Sequence, residues 1–390
     1  MSNALSPENE LEAAEIVRTT QGPFDIVGGG TRPGLGRPRS GQPLSSAKLT
    51  GIVFHEPAEM TLRARAGTPL SEVEASLAKA GQMLPCEPLD PRALFATSGE
   101  PTVGGLVATA IPGPRRVSAG AVRDNVLGVR LVNGRGEVVS AGGRVMKNVT
   151  GLDLVKIMCG AQGTLGFLTE ATFKLLPAPR AEATVVIRRL DDARAVEAMA
   201  RALSSPHGVS GAATIHSGMG REFPRTLLRV EGFAESVTYR AESLIALLAE
   251  FGAKHALEGE DSKRMWRSIR DGAFLSQPRE RAVWRASLKP SDAPVALAVL
   301  GGAAHTSLMD HGGGCLWFST DPTLAAASAV RAALGRFAGH VHLIRAPEDL
   351  RARADVFPPL SLALARLTRG VKASFDPEGR FNPGRMYADI

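Results

Sequence analysis

A short apolar run, Asp25-Ile26-Val27, passes directly into Gly28-Gly29-Gly30-Thr31-Arg32-Pro33-Gly34-Leu35-Gly36. Glycine lacks a Cβ, so such a backbone can take positive φ and approach a ligand closely. Successive inward N–H groups form a concavity suited to an anion. The stretch reads as a loop wrapping a pyrophosphate group. A Rossmann turn needs G-x-G-x-x-G opening a helix. Here the third glycine of the spacing falls one residue late, at Gly34, and Pro33 and Pro38 stand where that helix would grow. No Lys-Ser or Lys-Thr follows, which excludes a P-loop. Taken alone, an ordinary Gly/Pro surface loop reads equally well here.

The rest of the chain decides between these readings. A second small-residue region runs Thr102-Val103-Gly104-Gly105-Leu106-Val107-Ala108, then Gly113, Arg115-Arg116 and Ser118-Ala119-Gly120-Ala121-Val122-Arg123-Asp124. Small residues crowd where something flat must lie against backbone. A third region, Gly160-Ala161-Gln162-Gly163-Thr164-Leu165-Gly166, leads into a strand over 170–176. A fourth is the tail, Asp376-Pro377-Glu378-Gly379-Arg380-Phe381-Asn382-Pro383-Gly384-Arg385-Met386.

Between these regions the pattern is mixed. Ser6-Pro7-Glu8 predicts a helix start, and residues 24–27, 51–57 and 61–66 predict strands. Thr68-Pro69 predicts a helix carrying Leu70, Val73 and Leu77. Residues 126–132 and 137–140 flank Asn133-Gly134, a strong hairpin signal, and 153–158 reads as a short helix. Pro177 and Pro179 mark a boundary. Alternating strands and helices follow, with strands near 184–187, 212–216, 226–230, 282–287, 306–310, 315–318 and 341–344. The helices between them fall near 191–203, 236–251, 263–269 and 324–337. No repeat of 20 to 50 residues is evident.

Bulk properties narrow the function classes. A charge of +7 and a pI near 9.6 come without any Lys/Arg block interleaved with aromatics, which argues against nucleic acid. An anionic substrate, an anionic cofactor, a docking face or a solvated Arg-rich surface all fit such a field. Cys86, Cys159 and Cys315 form no C-x-x-C pair, so neither zinc nor an iron–sulfur cluster is expected, and no metal site is read. That usage suits a reducing cytoplasm. No signal peptide and no membrane-spanning run is read.

The four regions, in this order, resemble the FAD-binding domain of the vanillyl-alcohol-oxidase/p-cresol-methylhydroxylase (PCMH) superfamily. Within it, the chain is most similar to the smaller flavin-binding subunits of bacterial glycolate-oxidising complexes. The stretch Ala119-Gly120-Ala121-Val122-Arg123-Asp124-Asn125-Val126-Leu127-Gly128 carries that likeness. The resemblance implies an α+β fold: a PCMH-type FAD-binding domain of two α+β subdomains and a second, smaller, ferredoxin-like α+β cap domain. The expected spans are 1–178, then 179–370 for the cap, then a tail, 371–390, returning to the flavin domain.

It further implies FAD, with Gly28, Gly29, Gly30, Thr31, Arg32 and Gly34 on the pyrophosphate. Thr102, Gly104, Gly105, Ala108, Gly113, Ser118 and Gly120 would line the flavin and ribityl side. Gly163, Thr164 and Gly166 would lie near the adenine half, and Asn382 and Arg385 would reach the isoalloxazine edge. No His lies between Gly28 and Gly36 or in 102–124, so noncovalent FAD is expected.

Oxidising a 2-hydroxy acid needs a base for the hydroxyl proton and a cation for the carboxylate. Trp266-Arg267-Ser268-Ile269-Arg270 resembles a W-x-x-x-R helix in relatives, which offers Arg270 for the carboxylate, against a surface pair with Asp271 or Glu260. His311-Gly312-Gly313-Gly314-Cys315-Leu316-Trp317 resembles a metal-binding stretch of larger relatives. It ends in Trp317 where they have His, so His311 reads as a satisfied loop histidine. His340 and His342 share a strand face without a third ligand nearby.

Two functions remain open. One is oxidation of glycolate, or a similar acid such as D-lactate, to the 2-oxo acid by this subunit. The other is a noncatalytic FAD-containing relay or assembly subunit whose larger homologous partner carries the chemistry. The implied partners are that larger flavin-binding subunit and an iron–sulfur subunit, in the cytoplasm or peripherally on the inner membrane. A cell-wall UDP-sugar reductase on this fold fits poorly, because its acid/base pattern is missing.

Overall fold

The computed structural model describes residues 4–143, 153–216 and 223–390. The first helix is Glu10–Thr19, with Asn9 rather than Ser6 as its cap. The Asn9 side chain accepts from the Glu12 N–H at 2.9 Å, while the Ser6 hydroxyl turns back to Ala4 O. An N-cap side chain of this kind satisfies a donor the helix cannot. Strand β1 (Phe24–Val27) then pairs in parallel with β2 (Gln42–Ser45), and the glycine loop spans the gap between them.

The strands that follow are β3 (Ile52–Glu56), β4 (Thr61–Arg65), β5 (Gln82–Met83), β6 (Val126–Val132), β7 (Val138–Gly142), β8 (Phe167–Lys174) and β9 (Leu176–Pro177). Five of them form an antiparallel sheet in the order β3-β4-β8-β6-β7. The β6–β7 hairpin turns on Asn133, whose Oδ1 accepts from the N–H groups of Arg135 and Glu137. Leu62, Val129, Leu131, Ala171 and Phe173 face a core under the helices Leu70–Lys79 and Val103–Thr109. Each buried Leu, Val or Phe side chain among them contributes roughly 1.5–3 kcal/mol relative to exposure.

The second sheet has eight strands: β10 (Ala181–Arg188), β11 (Val209–Ile215), β12 (Arg225–Gly232), β13 (His255–Glu258), β14 (Ala282–Leu288), β15 (Thr306–Asp310), β16 (Cys315–Thr320) and β17 (Gly339–Arg345). Their order is β13-β10-β12-β11-β15-β16-β14-β17. This is one β-α-β-β-α-β unit followed by another. Each unit orders its strands fourth-first-third-second, and the two second strands meet at Thr214↔Met309 and Ile215↔Leu308.

The helices Asp192–Leu203, Ala234–Leu247, Ala293–Leu300 and Leu324–Leu334 cover one face, over a core that includes Val185, Leu228, Trp284, Phe318 and Leu343. The opposite face brings Val186, Leu227, Leu308, Trp317 and Ile344 against Leu35, Leu89, Leu94 and Ile111. The alternation of each strand therefore serves two cores, one of which lies against the glycine-loop half of the chain.

After the helix Leu362–Phe375, the tail returns to β1. The Phe24 N–H donates to Arg380 O at 2.7 Å, and Phe381 stacks on Phe24 at 5.9 Å between centroids. Buried Lys372 donates to Thr164 O, Phe381 O and Asp376 Oδ2, which pins the tail to the third small-residue region.

Candidate functional site

Strand β1, the helix after Thr102, the turn at Gln162–Gly163 and the tail bound one cleft. Its lining includes Gly28, Gly29, Gly30, Thr31, Arg32, Thr102, Gly104, Gly105, Ala108, Gly163, Gly166, Asn382 and Arg385. All four small-residue regions contribute to it. Asn382 holds the parts in register. Its Oδ1 accepts from the Ile26 N–H at 2.8 Å, and its Nδ2 donates to Gln162 O at 2.7 Å.

Several glycines here have a steric cause. A Cβ on Gly29 would sit 1.7 Å from Glu100 O, and one on Gly105 would sit 2.9 Å from Arg32 Nη1. Thr102 caps the helix Val103–Thr109, its Oγ1 accepting from the Gly105 N–H at 3.2 Å.

The cleft is cationic. Arg32 has no ion pair among the described residues, and its Nε is buried without a hydrogen-bond partner. Burial pushes its guanidinium down to about 10, opposed weakly by Asp90. Arg385 is buried and donates to Arg37 O at 2.9 Å. Burial and then neighbouring Arg39 bring it to about 9. Buried cations of this kind are costly without an anion.

Other residues named from the sequence lie elsewhere. Gly34 packs near Phe95, and Gly113 presses on the backbone of Glu87. Ser118 is exposed, its hydroxyl on Arg115 O, and Gly120 sits over Asp124. Thr164 is buried, its hydroxyl on Ala161 O at 2.7 Å. None of the five lines the cleft. Sequence reasoning missed Arg39, Ser46, Thr109 and Gln162, which do. Gln162 carried no signal, since its φ of 55° shows only in the fold.

A second cavity of about 470 Å³ adjoins the cleft, and Thr109 and Gln162 line both. It lies on the inner face of the eight-stranded sheet, where Arg285, His340 and His342 open into it with Tyr387 of the tail. Arg285 stands directly across from His342 on β17 and from Trp317 on β16.

Arg270 is not in either lining. Its Nε and Nη2 fork onto Asp271 at 2.7 and 2.9 Å. The carboxylate role drawn from sequence therefore meets an arginine already committed to its neighbour. His311 is likewise engaged, with Nε2 3.1 Å from Gly113 O and 3.5 Å from Asp310 Oδ2. Among the described residues no three His, Cys, Asp or Glu side chains gather as a metal site.

A family model described as an FAD binding domain matches residues 2–142. The chain is 36% identical over 383 residues to the glycolate oxidase subunit GlcE of Escherichia coli, covering 97% of each. The chain belongs to that GlcE family. It is also 33% identical, over 42% of its length and 31% of the relative's, to a D-lactate dehydrogenase of Anaerostipes hadrus. Among solved structures, alkyldihydroxyacetonephosphate synthase superposes with a TM-score of 0.70 at 18% identity, covering 97% of this chain and 76% of the other. That likeness speaks for the fold alone. The fold is α+β of the PCMH type, as the sequence implied, and the family binds FAD.

The residues present fit that cofactor. Gly28, Gly29 and Gly30 line the cleft with bare backbone, and Arg32 and Arg385 present buried positive charge with no ion pair among the described residues. A pyrophosphate would supply an anion for them. Gly104, Gly105 and Ala108 would leave a flat face for the ring system.

Proposed function

We propose that the chain holds FAD noncovalently in this cleft and acts as an FAD-dependent 2-hydroxy-acid oxidoreductase. Glycolate is the first candidate substrate and D-lactate the next. The single observation that carries this reading is the convergence of four small-residue segments on one cleft around Arg32 and Arg385, neither of which has an ion pair among the described residues. The similarity to a protein named glycolate oxidase subunit, and to another named D-lactate dehydrogenase, supports the substrate class.

Among the described residues the cleft lining offers no histidine or cysteine side chain for a covalent flavin link, which supports a noncovalent one. Acid precipitation of the purified chain tests this. FAD should stay in the supernatant, and a yellow pellet would overturn it.

The proposed setting is a complex with a larger homologous flavin-binding subunit and an iron–sulfur subunit. Another relative, glycolate oxidase subunit GlcD of Bacillus subtilis, is 38% identical over 85 residues, which supports a family of such subunits. Among the described residues no helix is long and apolar enough to cross a membrane. Attachment to an inner membrane would thus be peripheral, through the partners.

A relay or assembly role is the second reading. It is favoured by Arg270 and His311 both being taken up by their own neighbours. Anaerobic glycolate added to the isolated, FAD-loaded chain decides between them. Bleaching of the flavin supports its own substrate chemistry, and unchanged colour supports the relay.

A further inference from the structure

We propose that the second cavity binds a small 2-hydroxy acid, with its carboxylate on Arg285 and its hydroxyl donating to the ring of His342. The proposal rests on the reading that the adjoining cleft holds FAD.

The geometry comes from three neighbouring strands. β16, β14 and β17 place Trp317, Arg285 and His342 side by side on one face. The Arg285 guanidinium lies 5.7 Å from the Trp317 ring centroid. Its Nε is buried with no hydrogen-bond partner, and it has no ion pair among the described residues. A guanidinium with a buried, unpartnered N–H carries a cost, and a carboxylate accepting its fork from the cavity offsets it. Among the described residues nothing acidic lines the cavity to compete for it.

The remaining wall selects size and polarity. Leu35, Ile111, Phe357 and Leu364 are apolar, so the polar end of a ligand is directed toward the sheet. Thr109 and Gln162 join the cavity to the cleft, so a bound acid would lie beside the cofactor. When bound, FAD supplies the two-electron acceptor.

His342 is placed as an acceptor. Its ring stands edge-on to Phe357 at 5.3 Å and stacks with His340 at 6.5 Å. Its ring nitrogens make no hydrogen bond among the described residues. The charged and titratable groups around it are Arg285 on β14, His340 on its own strand, Arg331 on the helix Leu324–Leu334, and Tyr387 beyond Phe357. Burial, then Arg285, His340 and Arg331, hold the imidazole down to about 3. It is therefore neutral at physiological pH, with a lone pair to offer a hydroxyl.

The test uses the FAD-loaded full chain and two acids that cannot be oxidised at the 2-carbon: 2-hydroxyisobutyrate and isobutyrate. Binding is read by calorimetry and by the change in flavin absorbance, with FAD content measured for every variant. Loss of a charge-assisted fork predicts about 10- to 100-fold weaker binding of both acids by Arg285→Gln, and a smaller loss in Arg285→Lys. Arg270→Gln should leave both affinities near wild type. His342→Phe should weaken only the hydroxy acid, about 5-fold or more for one lost hydrogen bond, with part of the preference regained in His342→Gln.

If Arg285→Gln loses FAD, the Arg285→Lys result is read in its place. Saturable binding that survives both Arg285 changes overturns the anchor, as does its loss in Arg270→Gln with FAD retained. Equal weakening of both acids by His342→Phe overturns the hydroxyl contact. An FAD-loaded wild type that binds neither acid overturns the cavity assignment while leaving the cofactor reading intact. A wild type that takes up no FAD defeats the cofactor reading itself.

Discussion

Gly29 and Gly30 are neighbours with different reasons to be glycine. Gly29 has no room, since an added Cβ meets the Glu100 carbonyl at 1.7 Å. Gly30 has open space but a φ of 68°. Gly29→Ala must move backbone, at roughly 1–3 kcal/mol or more by overpacking. Gly30→Ala pays only the left-handed conformation, roughly 1–2 kcal/mol. Thermal midpoints and retained FAD should therefore both fall further in Gly29→Ala, and the reverse order would refute the steric account. This loop became legible only together with the other three small-residue regions, since a Gly/Pro-rich turn by itself is common. Arg285 was not, because in Ala282-Val283-Trp284-Arg285-Ala286 it looks like one charge on a strand. Only the packing of β14 between β16 and β17 shows that its face opens on a cavity. Arg270 misled for the converse reason. Its motif was visible, and its fork with Asp271 was not.

At the scale of elements, most strands and amphipathic helices were read, because alternation and apolar stripes record burial directly, while β2, β13 and the helix Ala293–Leu300 were not. The start of the first helix moved from Ser6 to Asn9, since the side chain that reaches the free N–H wins. Two further helices left a weaker record. Leu362–Phe375 exposes Leu362, Leu364 and Leu367 and buries Lys372, so its apolar contact with a core is confined to Val371 and Phe375 in the last turn. Val103–Thr109 contains Gly104 and Gly105, which weaken a helix in isolation. Its persistence rests on tertiary contact and on the Thr102 cap, whose Oγ1 accepts from Gly105. Thr102→Val keeps the shape and removes the acceptor. It should cost about 1 kcal/mol and speed FAD release, while Thr102→Ser should restore both. Denaturant midpoints and FAD dissociation rates check this, and a fully stable Thr102→Val would show that packing alone holds the helix.

Over the whole molecule, the two halves meet through charge as well as through apolar packing. Glu87 comes from the glycine-loop half, and its carboxylate receives Arg229 of β12 at 2.8 and 3.0 Å and the Arg115 N–H at 2.8 Å. Arg115 in turn reaches across to Glu231 of β12 at 2.7 Å. Arg229 is almost wholly buried, and these acids neutralise its charge while Ser210 accepts two further hydrogen bonds from it. Burial raises the Glu87 carboxyl, but Arg229 and Arg115 outweigh it and bring it down to about 2. A carboxylate depressed by folding contributes stability above its unfolded value of about 4.5 and loses it as pH falls toward 2. Removing one partner of a buried pair strands the other, at roughly 3–5 kcal/mol. Glu87→Gln should therefore show its full loss of stability at neutral pH. The gap from wild type should narrow as pH drops below about 4.5, where wild type begins to protonate the same carboxyl on unfolding. Denaturant unfolding of both proteins across that range reads this directly. A gap that stays constant with pH would mean that Glu87 holds the halves together by shape, and that its charge contributes nothing to their union.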